Sequence, residues 1–387
     1  MFEQELEKLE QQHLIRHPLV VQSACGPRIT INNRSMLHMC SNDYLGLAAH
    51  PAVKQAAVHA MEYYGFGSGS SRLVSGTSEL HVELEQRLAE FKGMDAALLF
   101  NSGYAANTGI IAAVAGENDA ILSDSLNHAS IIDGCRLSKA HVHVYKHKDM
   151  GHLEMLLKEN QHAGKRLIIT DSIFSMDGDI APLPDIVMLA EKYHAICMVD
   201  DAHATGVFGS QGRGSVEHFG LEGRVQIQMG TLGKALGSCG AFVAGDRGLI
   251  AYLANTARSY MFSTSLPPAV CAATLAALDI VQREPALRIK LWNNRTRFVK
   301  GLEAKGISLH FSESPILPVV IGDSGHALQA GRMLLEQGVF AAAIRPPTVP
   351  LGTARIRATV MAAHSDDDID QAIECFSMLA QAGLIRA

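Results

Sequence analysis

Apolar and polar positions follow two rhythms along this chain. Residues 2 to about 17 carry Phe2, Leu6, Leu9 and His13 on one stripe, the spacing of an amphipathic helix. Such a helix is marginal alone and needs a body or a partner to pack on. Ile29-Thr30-Ile31 and Met36 to Met39 flank Asn32-Asn33-Arg34, which predicts a hairpin. Pro51 opens a helix running to about Tyr64, because proline suits a first helical position. Ser78 to Lys92 reads as the next helix, with Ser78 and Glu79 at its start. From there short apolar runs alternate with helical stretches. The runs are Ala96 to Phe100, Ala120 to Ser123, His141 to Tyr145, Arg166 to Thr170, Ala195 to Val199, Val225 to Met229 and Ala241 to Ala244. This alternation predicts an α/β fold, with a mostly parallel seven-stranded sheet between helices. Pro267 begins a helical region reaching roughly Lys305, and the remainder reads as a smaller α+β unit. The expected division is an arm at 1–45, a large α/β domain at 46–280 and a small C-terminal domain at 281–387.

Composition narrows the classes. Of 387 residues, 48% are hydrophobic and 19% charged, which predicts a large buried core. A formal net charge of -6 gives no basic footprint for nucleic acid. The 7 cysteines are scattered without a CxxC pair, so free thiols in a reducing compartment are expected, and no zinc site. The first ten residues are acidic and polar, unlike a signal or transit peptide. No apolar run is long enough to span a bilayer. A soluble, cytoplasmic protein is expected.

Candidate chemistry gathers where strands end. Gly230-Thr231-Leu232-Gly233-Lys234-Ala235-Leu236-Gly237 sets a lysine among glycines after a strand. Ligands of open α/β sheets bind at the carboxyl ends of strands, and a lysine whose charge is disfavoured can bond to an aldehyde cofactor. A Walker loop is excluded, since Gln228 stands where its first glycine belongs. Gly65 to Arg72 is glycine-rich but carries Ser70 at the last position of GxGxxG and follows a helix, so it makes no dinucleotide site. Asn101-Ser102-Gly103-Tyr104 follows the first strand and opens a helix. Its amides suit a phosphate, with Ser102 as cap. His128 stands at a helix start, where a surface histidine is equally at home. Asp171 to Asp179 is acidic and is explained by a turn; its spacing is not that of an EF-hand. Asp200 ends an apolar strand, Ala195 to Val199. A carboxylate there needs a partner. The partner is either a protonated pyridine nitrogen or a metal shared with His203, for which no third ligand has motif spacing. His141, His143 and His147 fall on one face of a strand, which a half-exposed edge explains as well as a metal does.

Asp200-Asp201-Ala202-His203 with Thr231-Leu232-Gly233-Lys234 resembles the PLP-dependent α-oxoamine synthases. The resemblance runs from about Ser41 to His364 and includes Ser41 to Gly46, Gly69 to Gly76, Asn101 to Asn107, Phe174 to Gly178 and Phe262 to Ser265. It implies the aspartate-aminotransferase architecture, PLP fold type I, and a homodimer with sites at the interface. It implies that Lys234 bonds covalently to PLP and then takes the Cα proton of the amino acid. Asp200 keeps the pyridine nitrogen protonated, His128 stacks on the ring, and Ser175 and His203 reach the phenolic oxygen. Gly103, Tyr104 and Thr231 hold the phosphate, joined by Ser263 or Thr264 from the second subunit. Arg357 binds the amino-acid carboxylate, Asn42 and Thr348 line the acyl side, and Arg16 stands at the substrate arginine of the arm. No metal is implied. The segment Arg345-Pro346-Pro347-Thr348-Val349-Pro350, followed by Gly352-Thr353-Ala354-Arg355, resembles the branch that joins L-alanine to a pimeloyl thioester, of CoA or an acyl carrier protein, in biotin synthesis. Tyr104 stands where that branch often has Phe. The alternatives are a family member using another amino acid or acyl group, and a non-catalytic partner subunit, against which Lys234 argues.

Overall fold

A computed structural model describes residues 2–309 and 312–385. The chain forms two compact units. One gathers the chain up to Ala49, the five residues Ser175–Asp179 and the chain from Ala286 on; the other holds His50–Phe174 and Ile180–Pro285. The arm and the C-terminal segment thus share one unit.

In the first unit, helix α1 (Glu3–Gln11) buries none of its residues. It is shorter than the expected span to residue 17. His13 takes a positive φ of 56°, and the carbonyls of His13 and Ile15 are bound by the Arg345 guanidinium instead of a following turn. Strands β1 (Arg28–Ile31) and β2 (Arg34–His38) form the expected hairpin. Both turn residues, Asn32 and Asn33, have positive φ, which matches the twist of a two-residue hairpin and favours Asn.

The second unit opens with α2 (Pro51–Tyr64) and α3 (Glu79–Lys92), the latter capped by Ser78. Its sheet comprises β3 (Ala96–Phe100), β4 (Ala120–Asp124), β5 (His141–Tyr145), β6 (Arg166–Asp171), β7 (Ile196–Asp200), β8 (Ile227–Thr231) and β9 (Ala241–Gly245). The order is β3-β9-β8-β7-β6-β4-β5. Only β9 runs antiparallel to its neighbours, β3 and β8. Between β3 and β4 lies α4 (Gly103–Val114), and α5 (Ala129–Ser138) follows β4. Central strands are covered on both faces. Leu167, Ile169 and Met198 join one apolar cluster, while Ile168, Cys197 and Val199 join another. The alternation is the period of two of a strand, and it explains why these runs read as continuously apolar. Strand β8 lies two residues later than expected because pairing with β9 carries the ladder to Thr231.

The region from Pro267 is two helices, Pro268–Arg283 and Pro285–Ala304. Pro285 lacks an N–H and disfavours helical backbone at Glu284. The rest of the first unit contributes β10 (Ile316–Gly322), β11 (Val339–Phe340), β12 (Ala342–Ile344) and β13 (Ala354–Thr359). They complete two three-stranded sheets, ordered β1-β2-β11 and β10-β13-β12. All 7 cysteines are free. Among the described residues no helix is long and apolar enough to cross a membrane.

Candidate active site

Four parallel strands of the second unit end side by side on titratable or hydroxyl groups. Asp124 closes β4, Asp171 β6, Asp200 β7 and Thr231 β8. Strand pairing aligns Asp171 with Asp200, and Asp200 with Met229. Asp200 is two residues beyond Met198, so it continues the face on which α4 packs. There its Oδ2 accepts from Asn107 Nδ2 at 2.7 Å, and its Oδ1 from the Ala202 amide at 2.9 Å. Both donors are uncharged.

Asp201 points elsewhere and is already neutralised. Lys92 Nζ donates to its Oδ2 at 2.8 Å, with both side chains 0% exposed. The Ser215 hydroxyl and amide complete its shell. The neighbour that keeps a carboxylate among neutral donors is therefore Asp200.

His128 caps α5, and its own amide donates to Asp171 Oδ2 at 2.7 Å. Burial lowers the His128 pKa, the Asp200 carboxylate opposes this, and the Lys234 charge adds to it. Burial and the Asp200 charge push Asp171 well above the usual carboxylate range, against the His128 amide and Lys234. Lys234 thus acts on both groups. It sits half-buried in the turn after β8, which closes through Gly237 N to Lys234 O and Ser238 N to Leu232 O. Thr231 Oγ1 donates to Gly240 O and accepts from the Gly233 amide. His203 is buried in the turn after β7.

Ser102 caps α4 by accepting from the Ala105 amide. The remaining first-turn amides, at Gly103 and Tyr104, belong to the class that finds no partner inside a helix. The Tyr104 hydroxyl reaches Asp133 on α5. Ser263 is half-buried and Thr264 exposed, and Thr264 O accepts from Asn101 Nδ2 at 2.6 Å.

The other expected residues lie in the first unit. Arg357, on β13, donates from Nε to Ser175 O at 2.6 Å and from Nη2 to Asn42 Oδ1 at 3.2 Å. Arg355, on the same face of that strand, is closed on Asp177 Oδ1 at 2.6 Å. Arg16 Nη2 donates to Pro346 O at 3.0 Å, which joins the arm to the Arg345–Pro350 segment. Thr348 is exposed two residues further on. Sequence reasoning passed over Asn107, Ser130 and Lys92. A buried asparagine within the apolar Ala105 to Val114 helix was the signal for the first. Among the described residues no group of three His, Cys, Asp or Glu is placed to hold a metal.

A family model described as aminotransferase class I and II matches residues 34–376. The 8-amino-7-oxononanoate synthase of Geotalea daltonii is 52% identical over 379 residues, 97% of this chain and 96% of its own. The 8-amino-7-oxononanoate synthase 1 of Bacillus subtilis is 48% identical, covering 97% and 96%. Among solved structures, a serine palmitoyltransferase of S. paucimobilis with bound PLP-myriocin is 31% identical, with a TM-score of 0.95 over 99% of this chain and 98% of that one. The 8-amino-7-oxononanoate synthase of Francisella tularensis is 30% identical, with a TM-score of 0.77 over 90% and 99%. The chain belongs to the class I and II aminotransferase family and, within it, to the 8-amino-7-oxononanoate synthases.

Its cofactor is PLP, and the strand-end residues fit that group. A buried carboxylate with two neutral donors suits a pyridinium. A capped helix start suits a phosphate. A half-buried lysine in a glycine-flanked turn suits an aldehyde that needs an amine partner.

Proposed function

We propose that this chain condenses L-alanine with a pimeloyl thioester, releasing CO2 and the free thiol and giving 8-amino-7-oxononanoate for biotin synthesis. It is a PLP-dependent acyltransferase. The observation that supports this best is the gathering of His128, Asp200, Thr231 and Lys234 at the carboxyl ends of the sheet's interior strands, within a chain of which 97% matches a curated synthase.

In this reading Lys234, His128, Asp200, His203, Thr231, Gly103, Tyr104 and Ser175 hold the cofactor. Bound PLP supplies an aldehyde that bonds to amines and a ring that accepts an electron pair. Asp200 holds a proton on the ring nitrogen, which its two neutral donors leave it free to do. The Lys234 amine takes the Cα proton of alanine and later returns one. Arg357 grips the alanine carboxylate as a fork, a geometry lysine cannot copy. Arg16, Asn42 and Thr348 line the acyl side. Alanine is preferred over glycine by its methyl group, a difference worth about 1–3 kcal/mol, so glycine reacts weakly rather than not at all. The protein acts as a cytoplasmic homodimer. The exposed Tyr63, Phe66, Val74 and Phe262 are apolar surface that a second copy covers, and Ser263 or Thr264 serves the partner's phosphate.

Mass-spectrometric product assays test the reading. Alanine with pimeloyl-CoA is expected to outpace glycine with acetyl-CoA or succinyl-CoA. Faster turnover with either glycine pair overturns the substrate assignment.

A further inference from the structure

Asn107 lies in the second turn of α4 and is 0% exposed. Its amide nitrogen lies 2.7 Å from Asp200 Oδ2 and 2.8 Å from Ser130 Oγ. An ionised carboxylate only accepts hydrogen bonds, so the nitrogen end of the amide must face Asp200. Both amide hydrogens are then committed. The amide oxygen, Oδ1, is buried without a hydrogen-bond partner. An amide free to turn would not leave its oxygen so; the orientation is imposed by the carboxylate.

The consequence passes to α5. Ser130 Oγ accepts one Asn107 hydrogen, so its own hydrogen is free to donate. His128 Nδ1 lies 2.8 Å from it. The Ser130 backbone N–H points at the same nitrogen from 3.2 Å, and a backbone N–H can only donate. Nδ1 is met by two donors and must accept. A neutral imidazole that accepts at Nδ1 carries its proton on Nε2.

We infer that Asn107 is a positioning residue that sets the direction of a hydrogen-bond chain, bracing Asp200 on one side and, through Ser130, holding His128 as the neutral Nε2–H tautomer. This rests on the reading that Asp200 and His128 meet the cofactor. It goes beyond that reading by fixing which His128 nitrogen can donate outward. Nε2–H is that donor, while Nδ1 is spent on Ser130. One amide on α4 thereby ties together groups on β7 and α5.

The test is long-range 1H–15N correlation on the PLP-bound protein labelled with 15N-histidine at pH 7.5. The His128 signals are assigned by their loss in His128→Gln. The expected pattern is an unprotonated Nδ1 and a protonated Nε2. A protonated Nδ1, as the other tautomer or as imidazolium, overturns the inference in the unmodified protein. Ser130→Ala should shift the Nδ1 resonance by removing one of its two donors. Asn107→Ala should shift it as well and lower kcat at least tenfold, with the alanine KM changed less than threefold. Unchanged His128 resonances in Asn107→Ala, or in Ser130→Ala should Asn107→Ala not fold, also overturn it. Borohydride reduction and peptide mapping separate this from the site reading. A label away from Lys234 beside the expected tautomer sinks the cofactor placement and leaves the network standing.

Discussion

Each unit presents a like-charged pair in which one member is closed and the other open. In the second unit, Asp201 is locked on Lys92 at 2.8 Å, while its neighbour Asp200 is held by the uncharged Asn107 and Ala202 donors. In the first, Arg355 is locked on Asp177 at 2.6 Å, while Arg357, on the same strand face, is held by the Ser175 carbonyl and the Asn42 amide oxygen. Neutral partners orient a charge without cancelling it. The closed members build the scaffold, and the open members keep a charge that the proposed function assigns to a cofactor or a substrate. Side by side, the two kinds look alike in sequence and differ only in what folding brings to them.

Substitution can break this contrast, most sharply at the carboxylates. Asp200→Asn should cost several orders of magnitude in kcat and leave the fold intact, checked by steady-state kinetics beside circular dichroism. Asp201→Asn should do the reverse. It leaves a buried Lys92 ammonium without its anion, which costs about 3–5 kcal/mol, read as a lowered urea midpoint. If Asp201→Asn proved the catalytic lesion and Asp200→Asn the structural one, the strand register would be assigned to the wrong residue.

Asp200 was legible early, because it ends an apolar strand and a charge at a strand end is visible in a short window of sequence. The partners of the closed members were not. Lys92 reaches Asp201 across 109 positions, and Asp177 meets Arg355 across 178. Strand alternation tells that Asp200 and Asp201 face apart, but only packing tells which face holds a cation. The arm's end was also missed. Phe2, Leu6 and Leu9 carry a helical stripe, yet the helix stops at Gln11, where His13 turns left-handed and the Leu14 amide folds back on Leu9 O, and Arg345, more than 300 residues away, holds the carbonyls beyond it. The Arg16 contact with Pro346 is equally remote.

Smaller effects sharpen the comparison on the arginine side. Arg357→Lys keeps the charge but loses the fork. Charged hydrogen bonds contribute about 1.5–3 kcal/mol, so the alanine KM should rise about tenfold to a hundredfold with PLP still bound. An unchanged alanine KM would remove Arg357 from the carboxylate role. Arg16→Ala should raise the KM of the thioester several-fold and leave that of alanine alone; movement of the alanine term only would detach the arm from the acyl side.

The gentlest perturbation is pH, and it touches both units. His81 in the second unit and His364 in the first are buried and lowered to about 4, mainly by desolvation. Unfolded histidines titrate near 6.5, so between about 6.5 and 4 the unfolded chain binds more protons. Stability is then full above 6.5 and falls as pH drops through that window. Melting curves from pH 7.5 to 5 should show this decline, with His364→Gln flattening it. A midpoint that held steady or rose on acidification would contradict the neutral assignment of both rings.

The five residues Ser175–Asp179 leave the second unit after Phe174 and rejoin it at Ile180, and in between they belong to the first. This short excursion makes the chain poorly modular. No single cut separates the two units, and a gene fragment for residues 50–285 would carry a loop whose natural contacts, Arg355, Arg357 and the Glu313 amide, had been left behind. Exchange of units between relatives by one recombination event would therefore mismatch this loop with its acceptors. Any such chimera has to inherit the turn after β6 from the parent that supplies β13.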